Sequence, residues 1–131
     1  MRNAVAVALA FAAVAFSGCA GDAVRVEGTL AGTVLLGPTC PVQRDPPDPQ
    51  CADRPYSANL TLDLPDGTWT HVVFRSGANG TFSVAVGPGT YVLRSAESDA
   101  PRHPACSTEQ PIVVQEHRTT TVAVHCDTGI R

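Results

Sequence analysis

The stretch that decides the fold is Gly80-Thr81-Phe82-Ser83-Val84-Ala85-Val86-Gly87-Pro88-Gly89-Thr90-Tyr91-Val92-Leu93. Phe82, Val84 and Val86 alternate with Thr81, Ser83 and Ala85, and Tyr91 and Leu93 continue the same beat beyond the break. In an extended chain successive side chains point to opposite faces, so period two means a strand with one apolar face. Gly87-Pro88-Gly89 interrupts the run where a turn is needed, because proline presets φ and glycine accepts conformations closed to other residues. The simplest reading is a hairpin, with Phe82 and Tyr91 as apolar anchors on adjacent antiparallel strands.

The same beat extends on both sides, and no segment sustains a helical period. Val24 to Leu36 is a β-prone run broken by Gly28 and Gly32, and Gly37-Pro38 ends it. Tyr56 to Leu64 sets Leu60, Leu62 and Leu64 against Asn59, Thr61 and Asp63, which predicts a half-buried strand. Pro65-Asp66-Gly67 turns the chain into a strand over residues 68–75, and Ser76 to Gly80 turns it again. Ile112 to Gln115 and Thr120 to His125 read as a closing hairpin. Two segments have no such beat. Residues 38–55 hold six of the eleven prolines, and residues 96–111 hold three, so both are predicted loops. The expectation is an all-β, about seven-stranded antiparallel sandwich, transthyretin-like or immunoglobulin-like, with two loops stapled by disulfides.

The resemblance that supports this rests on residues 80–93. G-T-F-S-V-A-V followed by P-G-T-Y-V-L is similar to the G-x-F-x-V-x-V-x-P-G-x-Y-x-L pattern of transthyretin-like β-sandwich modules, among them the carboxypeptidase regulatory-like and collagen-adhesin B-type modules. The resemblance implies a fold and little about activity, since one fold hosts many functions. Some adhesin modules of this kind carry a lysine–asparagine cross-link. All nine basic residues here are arginines, so that bond is excluded, as are lysine Schiff bases and phosphate-loop lysines. A hydroxyisourate hydrolase in the wider group ends in a Tyr-Arg-Gly-Ser-type tail, whereas this chain ends Asp-Thr-Gly-Ile-Arg.

The N-terminus carries an address. Arg2 precedes thirteen residues, Ala4 to Phe16, without a polar side chain. As a helix they would span about 20 Å, too short for a ~30 Å hydrocarbon core, which reads as a signal peptide. Phe16-Ser17-Gly18-Cys19 resembles the bacterial lipoprotein signal, with phenylalanine where leucine is usual. That resemblance implies cleavage before Cys19 and acylation of its sulfur, and two or three acyl chains anchor durably where one is marginal. The domain reading is then residues 1–18 as signal peptide, 19–23 as a short lipidated tether and 24–131 as the sandwich. The alternative is an ordinary secretory signal cleaved near Ala20 or Gly21, releasing a soluble binding domain.

Five cysteines are an odd number, and setting Cys19 apart leaves four that can pair in three ways. Cys40–Cys51 would close the proline-rich loop. Cys106–Cys126 would join the open end of the predicted closing hairpin. Disulfides persist outside the cytoplasm, which matches the signal sequence.

The net charge of −3 without a basic cluster gives no footprint for nucleic acid. His71, His103, His117 and His125 are not in metal-ligand spacing, and no nucleophile elbow surrounds a serine. Asp45, Asp48 and Asp53 cluster in the first loop without the D-x-D-x-D-G spacing of a calcium site. Asn59 and Asn79 match a glycosylation sequon, which a bacterial signal makes coincidental. Trp69, with His71 and Val73 in its strand row, is an exposed candidate for stacking on a sugar ring. The sequence therefore predicts a non-enzymatic, lipid-anchored binding or structural module at the cell surface. It would need no cofactor and would have a membrane contact through acylated Cys19 and a protein or glycan partner. The competing class is a small metal-binding or hydrolytic lipoprotein using the loop Asp and His residues.

Overall fold

The structure is a computed structural model that describes residues 26–96 and 104–130. Nine strands follow in order: β1 (Gly28–Gly37), β2 (Arg54–Pro55), β3 (Asn59–Asp63), β4 (Thr70–Arg75), β5 (Thr81–Val86), β6 (Gly89–Ser95), β7 (Ala105–Ser107), β8 (Ile112–Val114) and β9 (Thr119–Asp127). One 3-10 turn, Pro49–Cys51, lies between β1 and β2. The strands form one curled sheet in the order β2-β1-β9-β7-β6-β3-β4, with β5 added to β1 and β8 to β6. All pairs are antiparallel except β1 with β9, whose parallel register runs from Thr29–Thr119 to Gly37–Asp127.

The curl brings two halves face to face. β1, β5 and β9 contribute Leu30, Val34, Phe82, Val86 and Val124 to the core. β3, β6 and β8 answer with Leu60, Leu62, Tyr91, Leu93, Ile112 and Val114. On one side β7 bridges the halves by pairing with both β6 and β9. On the other side β4 and β5 are not paired with each other among the described residues, and side chains fill that seam: the Phe74 and Phe82 rings lie 5.1 Å apart. Phe82 fits because it faces Gly32 across the β1–β5 ladder, and a Cβ on Gly32 would come within 2.8 Å of the Phe82 ring.

Several expectations from the sequence need correcting. The Gly87-Pro88-Gly89 turn does not close a hairpin. β5 pairs with β1, while β6 pairs with β3 and β8, so the turn is an arch that carries the chain from one half to the other. Phe82 and Tyr91 therefore meet the core from opposite halves. The closing hairpin is likewise absent, since β8 joins β6 and β9 joins β1 and β7. Residues 96–111 are not all loop, because β7 lies within them. The first strand begins at Gly28 rather than Val24, and residues 24 and 25 lie outside the described residues. Thr61 and Asp63 were expected on a solvated face but are 7% and 8% exposed. β3 is a central strand flanked by β4 and β6, and Arg94 from β6 reaches over it to Asp63, with Nε 3.0 Å from Oδ2.

The turn after β3 behaves as its residues require. Asp63 pairs with Thr70 to make the β3–β4 hairpin, and Gly67 takes φ +74° at its tip. Asp66 Oδ1 accepts hydrogen bonds from the Thr68 backbone N–H and hydroxyl, which hold its carboxyl below the ordinary value. Asn79-Gly80-Thr81 repeats the device between β4 and β5: Asn79 Oδ1 accepts from both the N–H and the hydroxyl of Thr81.

Phe82→Ala should expose how much the seam contributes. Truncating a buried phenylalanine costs about 3–5 kcal/mol, a large share of the 5–15 kcal/mol typical of a domain. Denaturant unfolding should show a lower midpoint for Phe82→Ala, and an unchanged midpoint would mean the seam carries no core.

Candidate functional site

Strand direction sorts the loops into two ends. β1 starts and β9 starts at one end, where His117 N–H donates to the Glu27 carbonyl and Thr29 N–H to the Arg118 carbonyl. The β3–β4 tip (64–69), the 87–88 arch and the 115–118 turn share that end, because Asp63 faces Val92 and Gly89 faces Val114. At the opposite end β1 and β9 finish together, with Thr128 N–H donating to the Gly37 carbonyl. Here lie the loop after β1, the 76–80 turn and both cysteine pairs.

The structure contains disulfides Cys40–Cys51 and Cys106–Cys126. The second joins facing residues of neighbouring strands, since Cys106 on β7 lies opposite Cys126 on β9. This is a different route to the same pair from the hairpin expected above. Both of its cysteines are core residues, at 4% and 0% exposure. Cys40–Cys51 instead shapes an exposed loop. Within that loop Asp48 caps the 3-10 turn, its Oδ1 accepting from the Gln50 N–H at 2.9 Å.

This loop forms the candidate surface. A concavity of about 410 Å³ is lined by Gln43, Arg44, Asp48, Pro49 and Asp53 among others. A neighbouring one of about 490 Å³ shares Arg44 and Asp48 and adds Val42, Gln50 and Arg54. Arg44 and Asp48 thus stand between two hollows, with Val42 exposed beside them. The loop is tied to the sheet at several points. Asp53 Oδ2 lies 3.6 Å from His125 Nδ1 on β9, and Arg54–Pro55 pair with β1. Nearby, the buried Ser76 hydroxyl accepts from Ala58 N–H and donates to the Tyr56 carbonyl, fixing the ends of β3 and β4. The result is a charged and apolar surface held on a rigid scaffold, the arrangement from which loops recognise partners.

The acidic loop residues do not converge on an ion. Asp48 caps the turn and Asp53 faces His125, and among the described residues no group of three or more His, Cys, Asp and Glu could hold a metal. His117 sits in the turn before β9 with φ +53°.

Trp69 is 69% exposed, but not in the row expected for it. The β3–β4 register slips by one between Leu62 and Asp63, making His71 the extra residue of a β-bulge. Trp69 therefore lies opposite Leu64, whose N–H donates to its carbonyl at 3.0 Å, and not in the row of Val73. The side chain of His71, and the whole of His103 and Cys19, lie outside the described residues.

No protein-family model matches the chain, and no curated protein sequence matches it. Among solved structures, the minor pilin GBS52 of Streptococcus agalactiae is similar with a TM-score of 0.52 at 13% identity, over 78% of this chain and 44% of that one. A DUF3823 family protein from Parabacteroides merdae matches at a TM-score of 0.44 and 18% identity, over 77% of this chain and 46% of that one. This chain thus spans less than half of either. The likeness to the pilin is one of fold: an all-β domain of the immunoglobulin-like sort.

The two disulfides should differ in what they hold. Replacing Cys106 and Cys126 by serine should cost about 2–5 kcal/mol and lower the melting temperature, since it cuts a core staple between strands. The Cys40→Ser, Cys51→Ser chain should keep its sheet but be nicked within residues 38–55 by limited proteolysis. Equal melting shifts and equal protease resistance would contradict this division.

Proposed function

We propose that this chain is a lipid-anchored, extracytoplasmic, non-enzymatic binding or structural module that presents its Cys40–Cys51 loop away from the membrane. The observation that carries the reading is the separation of the two ends. The chain enters β1 at one end, and the stapled loop, both disulfides and the end of β9 occupy the other. A module hung from Cys19 would point the loop outward. Disulfides favour an oxidising compartment, and the Phe16-Ser17-Gly18-Cys19 sequence supports the anchor. The pilin likeness adds that such a fold occurs in a surface structure.

The partner would be a protein or glycan bound through the hollows flanking Arg44 and Asp48. Two experiments test the reading. Cys19→Ser should move the protein from the membrane fraction to the soluble one, and unchanged detergent partitioning would refute the anchor. A photoreactive residue at Val42 in whole cells should capture a defined macromolecule that the same residue at Val113 does not. Both positions are exposed, at 67% and 57%, but Val113 lies on β8 away from the loop. Equal capture at the two sites would refute the loop as the binding surface.

A further inference from the structure

The β3–β4 tip is left unexplained by the distal loop. It carries the only tryptophan of the chain, 69% exposed, facing Leu64, which is 36% exposed. Among the described residues, the other large exposed apolar side chains are aliphatic and stand on strand faces, in the stapled loop or near the C-terminus: Val73, Val113, Val42 and Ile130. At the tip of the hairpin Trp69 buries little of its surface.

Its position in the fold supplies the reason. The tip is at the end of the domain where Glu27 leads into β1. Val26, the first described position, is seven chain steps from Cys19, with six residues between them. Even fully extended, those steps reach only about 25 Å. If Cys19 is acylated, this end of the domain is held against the bilayer surface and the stapled loop is held away from it. Tryptophan is enriched at membrane–water interfaces, where its ring sits at headgroup level and its N–H stays solvated. Residues 64–69 include no basic side chain, and Asp66 is engaged by Thr68. The contact would therefore be apolar and would not depend on anionic lipid.

We infer that Leu64 and Trp69 form an interfacial lipid contact that steadies the anchored domain upright on the bilayer. This rests on the lipid-anchor reading. The exposed tip gives the short tether a second, weaker point of attachment, which would restrict tilting and keep the Arg44–Asp48 surface outward.

The test uses the full lipidated chain reconstituted in phosphatidylcholine vesicles, with the Cys19→Ser chain mixed with the same vesicles as reference. Flotation reads attachment. Fluorescence reads the tip, since Trp69 is the sole tryptophan. The lipidated chain should float, its emission should lie to the blue of the reference, and phosphatidylcholine with brominated acyl chains should quench it. A chain that floats while its emission matches the reference and resists bromine quenching overturns the inference and leaves the anchor standing; the tip would then serve a soluble partner. A chain that does not float overturns the anchor and the inference together.

Discussion

The parallel ladder between β1 and β9 is the constraint on which the rest depends. β1 spends one edge on β9, from Thr29–Thr119 to Gly37–Asp127, and divides the other between β5 and β2. Because first and last strands run the same way, the chain enters the domain at one end and leaves it at the other. An antiparallel pairing would have put both at one end. Ten residues of β1, at about 3.3 Å each, set roughly 30 Å between the entry and the stapled loop. The fold therefore has a polarity before any function is assigned to it. The β1–β9 ladder also delivers Val124 and Cys126 to the core, where Cys126 meets Cys106 on β7 and links this half of the sandwich to the other.

Much of this was legible in the sequence, and the exceptions have physical causes. Alternation told which side chains face inward: Leu60, Leu62, Phe82, Tyr91 and Leu93 are all core residues. Alternation says nothing about which strand lies alongside. A glycine–proline turn between two amphipathic strands looks the same whether it closes a hairpin or arches across a core, and the nearest-neighbour assumption chose wrongly twice. β7 escaped notice because three residues between prolines are too few to show a period. The burial of Thr61 and Asp63 depends on β3 being central and on Arg94 crossing from β6, both facts of tertiary structure.

The candidate surfaces were legible in a similar way. The cysteines marked the loop after β1, since residue type alone reports a staple. The pairing of Asp53 with His125 and the placing of Arg44 and Asp48 between two hollows could not be read, because they join residues that only folding brings together. Trp69 was expected to be exposed and is, yet its row was misassigned. One extra residue at His71 flips every side chain before it, and no local signal announces a bulge. That single slip moves Trp69 from the row of Val73 to the row of Leu62 and Leu64, opposite Leu64 at the tip end of the hairpin.

If β1 is the spine, its amides should be the last to open. Native-state hydrogen exchange read by mass spectrometry would show this directly. Residues 29–37 and 120–126 should exchange together, at the rate of global unfolding, while residues 38–55 and the 64–69 tip exchange earlier. Exchange of β1 ahead of β3 and β6, as a unit that opens while the other half stays closed, would contradict the account.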